Sequence, residues 1–388
     1  MDTTGPAATV ISAVDRRSMD RAVELGRRGW GRVQPNPMVG CVLVRQGEVV
    51  GEGWHREFGG PHAEVIALSE AGAEAKGATA YISLEPCHHE GKTPPCSVAL
   101  RGAGVSRIVF GAPDLGRKSG GGAAALRAGG IDVVGPVLTE RESRRENPAF
   151  FQTTLERPWV ALKLAVSLDG KISSKSGVRT GISGTKANDQ VQWLRAGFDA
   201  ILVGTNTALV DDPLLTVREK LKPRVPPRRV ILDAEGKVSA KSRVLHEGDA
   251  PVSFFTTTSS PKAWRVPIEA AGATVSEVSA GSHGGVSLSA TLSILREEGV
   301  RTLLCEGGGS VGSGLLTGGL VDRLYLIVAP KLIGPEGVSA FQWIENSGLS
   351  FPPQVSEQSG RPIGDWVLSE EPRRFGHDVW MVLEPRGE

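Results

Sequence analysis

The 388-residue sequence predicts two successive α/β domains, the first a three-layer α/β/α sandwich. Three observations predict this. The chain is too long for one ordinary hydrophobic core. Short apolar runs of strand character alternate with helical patterns from about residue 17 to 147, and the alternation restarts at Trp159. Between them the composition turns polar, and the stretch ESRRENPAFFQTTLERP reads as a helical linker. The expected domains are 1–147 and 158–388, joined by a linker at 148–157.

In the first half, residues 18–28 predict a helix with Ser18 as its cap. Runs 38–45 and 49–54 predict strands of a hairpin, with Gln46-Gly47 as the turn. A helix over 62–71, a strand over 78–84, a helix over 97–102 and a strand over 106–111 follow. A helix over 123–128 and a strand over 131–134 complete the set. The second half predicts strands at 159–166, 199–204, 229–233, 252–256, 301–305 and 323–329, with helices near 185–196, 289–298 and 310–317. The basic, proline-rich segment 216–228 predicts a surface loop, and 257–290 carries little periodic signal.

Composition narrows the function classes. Charged residues make up 22% and the formal net charge is +1, which offers no basic field for a nucleic-acid backbone. No apolar run approaches the roughly 20 residues that span a bilayer. The N-terminus has an early Asp2 and no basic segment before an apolar stretch, so a signal peptide is not expected. A cytoplasmic protein follows, and four cysteines agree, because a reducing compartment leaves them free for other uses.

Two of those cysteines have such a use. His62-Ala63-Glu64 opens a predicted helix, Pro86-Cys87 follows a predicted strand, and Cys96 begins the next helix. One imidazole and two thiolates suit Zn²⁺, and helix N-termini favour the thiolate form. Three protein ligands leave a fourth position for water, which the metal acidifies into a nucleophile. Glu64 lies two residues from the His ligand, placed to take the water's proton and return it to a leaving amine, the division of labour found in nucleobase deaminases. A purely structural zinc site would need a fourth ligand, for which His88 and His89 are adjacent, but it has no need of Glu64. Cys41 and Cys305, inside or at the end of predicted strands, read as buried apolar residues.

The run from Glu85 to Cys96, EPCHHEGKTPPC, closely resembles the signature of the bifunctional riboflavin-biosynthesis deaminase/reductase family, as do PNPMVGCV from Pro35 and PHAEV from Pro61. The second half resembles that family's reductase domain in KLAVSLDGK from Lys163, VGTNT from Val203, DDPLLTVR from Asp211, EGG from Glu306 and APKLIG from Ala329. The resemblance covers nearly the whole chain in the right order. It implies a cytidine-deaminase-like fold joined to a dihydrofolate-reductase-like fold. It also implies two consecutive reactions: zinc-dependent deamination of a diaminopyrimidinone ribosylamino 5′-phosphate, then reduction of the ribosyl group to ribityl with NADPH.

The resemblance further implies site residues. Asn36 would hydrogen-bond the pyrimidine, since an amide both donates and accepts. His89 and Lys92 are candidates for the phosphate end, and Asp114 for a further substrate contact. Ala165, Thr207 and Asp211 match cofactor positions, with Asp211 the best candidate reductase proton donor. Arg195, Leu215, Arg218 and Glu306 match substrate contacts, the two arginines as phosphate clamps. A Gly-rich turn opening a helix, with the backbone of Gly308, Gly309, Ser310, Val311, Gly312, Ser313 and Gly314, would hold the cofactor pyrophosphate. A Rossmann reading of that turn is weak, because the motif comes late in its domain and no acidic residue ending a second strand follows about 20 residues on.

Three positions depart from the family pattern. Gly116 stands where an Asn is usual, Arg179 where a Ser is, and Gly181 where a Trp is; Arg179 could still meet the substrate phosphate. The departures keep open a paralogue acting on a related pyrimidine. A nucleic-acid base deaminase with an accessory domain is disfavoured by the neutral charge, and a zinc-stabilised scaffold by the intact Glu64. The expected partners are a small phosphorylated pyrimidine and further copies of the chain, as a dimer or tetramer, with no nucleic acid and no membrane.

Overall fold

The computed structural model describes residues 11–89, 94–116, 119–151, 156–218, 222–281, 285–342 and 365–386. The chain forms two compact units, Met1–Thr153 and Thr154–Glu388.

The first unit runs α1 (Ala13–Arg27), β1 (Gly40–Arg45), β2 (Glu48–Trp54), α2 (Ala63–Ala71), β3 (Thr79–Leu84), α3 (Cys96–Gly102), β4 (Arg107–Ala112), α4 (Gly122–Ala128), β5 (Asp132–Val134), α5 (Glu140–Glu146) and α6 (Pro148–Phe151). Its sheet has the order β2-β1-β3-β4-β5. The β1–β2 pair is the expected antiparallel hairpin, and Gln46 and Gly47 both take positive φ in its turn. Strand alternation makes the three layers. Cys41, Leu43, Ala80, Ile82 and Ile108 pack on Ala63 and Ala67 of α2, Leu100 of α3 and Leu126 of α4. Val42, Tyr81 and Val109 face Met19, Ala22 and Leu25 of α1 on the other side.

Helix α1 starts five residues earlier than expected. Ser12, not Ser18, is its cap, accepting from Asp15 N, because Asp15 already belongs to the first turn. The buried Asp15 accepts from Tyr81 Oη at 2.7 Å and from Arg107 Nη1 at 2.8 Å, so it ties α1 to β3 and β4. Helix α2 lies directly on β2. A Cβ at Gly53 would come within 2.2 Å of Ala63 O, so only glycine allows this approach, which sets the height of the helix start carrying His62 and Glu64. Part of the stretch expected as linker packs with this unit: Phe151 of α6 lies against Leu84 and Ala112.

The second unit runs β6 (Trp159–Val166), β7 (Lys171–Ser173), α7 (Thr185–Arg195), β8 (Ala200–Gly204), α8 (Thr205–Asp211), β9 (Arg228–Leu232), α9 (Arg243–His246), β10 (Val252–Thr256), α10 (Lys262–Ala270), β11 (Thr274–Glu277), α11 (Leu288–Glu297), β12 (Thr302–Cys305), α12 (Gly309–Thr317), β13 (Arg323–Val328), β14 (Val338–Ser339), β15 (Trp366–Leu368), β16 (Arg373–Phe375) and β17 (Asp378–Pro385). The large sheet has the order β11-β10-β9-β8-β12-β6-β13-β17-β15, with β16 also pairing β17. From β11 to β13 every pairing is parallel; β17 joins antiparallel. Parallel strands buried on both faces explain the continuous apolar runs WVALKLAV and TLLC. The carboxyl ends of β6, β8 and β12 are neighbours, the place where open α/β sheets bind ligands.

Two stretches carry structure that was not expected. Segment 257–290 contains α10 and β11. Helix α10 is interrupted in sequence by Pro267 but is anchored by Trp264, whose Nε1 donates to Val238 O at 2.7 Å and whose ring meets Phe254 edge-on. The C-terminal β16–β17 hairpin turns at Gly376, which has a φ of 68°. The apolar, β-prone run VWMVL was a legible strand signal there.

Candidate active sites

In the first unit the three expected metal ligands come from three elements. His62 is the N-cap of α2, Cys87 lies in the loop after β3, and Cys96 is the first residue of α3. His62 Nδ1 is 3.3 Å from Cys96 Sγ and 3.6 Å from Cys87 Sγ, and the three ligand atoms lie within 4.8 Å of one another. Zn–N and Zn–S bonds of ordinary length at a tetrahedral angle put N and S about 3.5 Å apart, so the triangle fits zinc as it stands. Among the described residues no fourth His, Cys, Asp or Glu joins the group. His88, the nearest alternative, is exposed and its Nδ1 meets Ser97 Oγ at 2.9 Å. Three donors with a fourth position open is the arrangement of catalytic zinc sites, whereas closed structural sites have four.

Electrostatics agree. The Cys96 thiol and amide beside it draw the Cys87 thiol down to about 4. The Cys87 side chain beside it pushes the Cys96 thiol the other way, upward. His62 is raised chiefly by Cys87. Glu64, 3% exposed in the first turn of α2, is pushed up by burial, with His62 opposing. Cys41 and Cys305 are buried in strands, as expected.

Around this centre, Asn36 lies in the loop before β1, and its Nδ2 is 3.2 Å from His55 Nε2. His55 Nδ1 is 3.1 Å from Pro61 O, and burial lowers the ring's pKa. A neutral ring donating to Pro61 O accepts from Asn36 Nδ2, which orients the amide. His55 was not singled out from the sequence; its signal was a histidine directly after a strand and seven residues before His62. Asp114 Oδ1 accepts from Gly116 N at 2.8 Å, and burial raises its carboxyl. A Cβ at Gly116 would fall 2.0 Å from Ser119 Oγ, so no larger side chain fits there without moving Ser119. Glu85 holds this rim by accepting from Asp114 N and Ala123 N. His89 is half-buried, its Nδ1 without a hydrogen-bond partner; Lys92 lies outside the described residues.

In the second unit Glu306, just after β12, is buried between two cations. Arg195 grips it with Nε–Oε1 at 2.6 Å and Nη2–Oε2 at 3.1 Å, and Lys163 Nζ of β6 lies 3.5 Å from Oε2. Burial pushes the Glu306 carboxyl up, but the two cations more than offset this and bring it to about 2. Lys163 was not singled out earlier, although a lysine inside an apolar strand is a signal in itself.

Several expectations about individual residues change. Arg195 does not stand free for a phosphate: its fork is engaged with Glu306 and its Nη1 donates to Thr216 O at 2.9 Å. Arg218 is exposed, and its backbone N donates to Gln192 Oε1. The cofactor cradle narrows as well. Gly308 N donates to Thr207 Oγ1 at 3.1 Å, and Gly312 N is spent on Gly308 O, as Ser313 and Gly314 are inside the helix. Helix geometry leaves Gly309, Ser310 and Val311 as the amides of the α12 terminus able to meet an anion.

Other expected residues fall near by in the fold. Leu215, buried, takes a φ of 52°, a strained conformation for a branched residue and a mark of a shaped loop. Asp211 ends α8, raised by burial, with Arg179 Nε 3.7 Å away and itself exposed. Ala165 lies near the end of β6, opposite Ile327, and Gly181 O accepts from Lys331 Nζ.

Comparison with known proteins agrees with both units. Residues 12–112 match the cytidine and deoxycytidylate deaminase zinc-binding region, and residues 158–363 match the RibD C-terminal domain. The riboflavin biosynthesis protein RibD of Aquifex aeolicus is 38% identical over 333 residues, covering 85% of this chain and 90% of that protein. The RibD of Escherichia coli is 36% identical, covering 90% and 97%. Among solved structures, Acinetobacter baumannii RibD superposes with a TM-score of 0.75 at 32% identity, covering 96% of this chain and 99% of that one. A diaminohydroxyphosphoribosylaminopyrimidine deaminase/5-amino-6-(5-phosphoribosylamino)uracil reductase of Thermotoga maritima gives 0.74 at 33% identity, covering 96% and 99%. An open zinc triangle with a buried glutamate in one unit, and a parallel α/β reductase fold in the other, therefore place the chain in the RibD family of bifunctional deaminase–reductases of riboflavin biosynthesis.

Proposed function

We propose that the first unit deaminates 2,5-diamino-6-(5-phosphoribosylamino)pyrimidin-4-one and that the second reduces the ribosyl group of the resulting uracil with NADPH. The observation that carries the deaminase half is the His62–Cys87–Cys96 triangle with Glu64 buried in the adjacent helix turn. Zinc held there supplies Lewis acidity that makes water a nucleophile at neutral pH. Glu64 takes the proton released at the attacking oxygen and delivers it to the departing amino group; its burial raises proton affinity, as a shuttle requires. Asn36, its amide oriented by His55, holds the pyrimidine edge, and Asp114 and His89 line the sugar-phosphate side, with Lys92 as a phosphate partner.

In the reductase unit NADPH supplies the hydride. The amides of Gly309, Ser310 and Val311 receive its pyrophosphate, and Thr207 fixes the turn through Gly308 N. Ala165 and Asp211 complete the cofactor side. Glu306, Leu215 and Arg218 face substrate, while Arg195 serves by holding Glu306 ionised and in place. Two nearby carboxyls thus diverge: Glu306 is driven down, and Asp211 is driven up by burial, which suits Asp211 as the proton source. A net charge of +1 supports a small anionic substrate rather than nucleic acid. The described residues contain no helix long and apolar enough to cross a membrane. A reducing cytoplasm would keep Cys87 and Cys96 from pairing in a disulfide and so free to bind metal, and a homodimer or homotetramer is the assembly proposed, to be checked by light scattering.

A coupled assay of purified, zinc-loaded protein with the diaminopyrimidinone substrate and NADPH tests the proposal. Ammonia release followed by NADPH oxidation is expected. Ammonia release from the diaminopyrimidinone with no NADPH oxidation would remove the reductase assignment, and no ammonia at all would remove the deaminase substrate.

A further inference from the structure

Residues 139–151 belong to neither of the two matched family regions, yet they contact both the loop that carries Asn36 and the strand that leads to Cys87. The Asn147 side chain accepts from Met38 N at 2.7 Å and donates from Nδ2 to Met38 O at 3.1 Å. One amide therefore satisfies both backbone groups of Met38, as a neighbouring strand would. Met38 is two residues beyond Asn36, in a loop where Pro35 and Pro37 cannot donate from their own nitrogens.

Asn147 is itself held firmly. It is the C-cap of α5, its N donates to Ser143 O, and it is nearly buried. Helix α5 begins in a complete Thr139–Glu142 capping box. It is tied to α1 by a two-pronged bond from Arg27 to Glu146, Nε–Oε2 and Nη2–Oε1 both at 2.7 Å. Immediately after it, Phe151 packs on Leu84, with Val39 also against this cluster. Leu84 ends the strand that leads to Cys87, so one short segment touches the chain just after Asn36 and just before Cys87.

We propose that Asn147 is a positioning residue of the deaminase, setting the place of Asn36 relative to the metal ligands through the Met38 backbone. The proposal rests on the assignment of Asn36 to the pyrimidine. Displacing a binding group by a fraction of an ångström weakens a hydrogen bond to substrate, so the effect falls on substrate binding and not on zinc or proton transfer.

The test is a double-mutant cycle in the full-length, zinc-loaded protein, with deaminase kcat and KM, zinc content and reductase rate measured for each variant. Asn147→Ala is expected to raise deaminase KM by about tenfold, with kcat, zinc and reduction near wild type. In an Asn36→Ala background the same change is expected to cost less than about twofold, because the group it positions is gone. An unchanged KM in Asn147→Ala, or an equal factor in both backgrounds, would overturn the proposal; the latter outcome is what a merely structural role produces. Normal deamination by Asn36→Ala alone would instead overturn the assignment of Asn36. Should Asn147→Ala lose zinc, Asn147→Asp runs the same cycle, keeping size and the acceptor for Met38 N while removing the donor to Met38 O.

Discussion

Replacing Arg195 by alanine separates two roles for this residue, a free phosphate clamp and a holder of Glu306. In the structure all three of its donating nitrogens are engaged, two with Glu306 and one with Thr216 O. Glu306 is buried and its carboxyl stands at about 2, against an ordinary 4.5. That difference amounts to about 3 kcal/mol of stabilisation of the ionised form, in the range of about 3–5 kcal/mol for breaking a buried pair. For a unit the size of 154–388 this lowers Tm by about 6–12 °C. The sign follows from the direction of the shift. A depressed folded pKa contributes stability in full above 4.5 and loses it as pH falls toward about 2, so the gap between variant and wild type is widest at neutral pH and narrows in acid. Scanning calorimetry at pH 7 and at steps down toward pH 2, with reductase kinetics at saturating NADPH, measures it. Arg195→Lys keeps the charge without the fork and recovers only part of the loss. A variant whose Tm stays within about 2 °C at pH 7 while substrate KM rises would refute the reasoning and restore the clamp.

The other predictions are shorter. Cys87→Ser or Cys96→Ser should lose zinc and deamination together while NADPH-dependent reduction persists, as metal analysis and separate assays would show. Glu64→Gln keeps size and hydrogen bonding but no shuttle, so deaminase kcat should fall by about 10²–10⁴ with zinc retained; normal turnover would remove Glu64 from the mechanism. Gly308→Ala should raise KM for NADPH selectively, since a Cβ there meets only Thr207 Oγ1 at 3.5 Å. Gly309→Ala should destabilise the unit as well, because its Cβ would lie 2.7 Å from Ser339 O. A fragment from residue 154 onward should fold and reduce the deaminated intermediate; a folded fragment that cannot would show that the first unit completes the reductase site.

The order of most elements and the grouping of His62, Cys87 and Cys96 were legible in the sequence because both depend on local pattern. Strand runs such as WVALKLAV declare themselves by composition, and His62, Glu64, Cys87 and Cys96 by residue type at helix starts and loop ends. Helix α10 was hidden because Pro267 breaks its pattern, and Trp264, which anchors it, finds its partners Val238 and Phe254 far away in sequence. Site electrostatics were equally beyond sequence. Arg195 reads as a solvated or phosphate-binding helix residue until Glu306, 111 positions away, closes on it. Asn147 meets Met38 through backbone groups that every residue carries, so no residue pattern announces that contact. Chemistry that needs a particular side chain is written in the sequence. The placing of that chemistry depends on contacts between distant segments and on burial, and only the folded chain decides those.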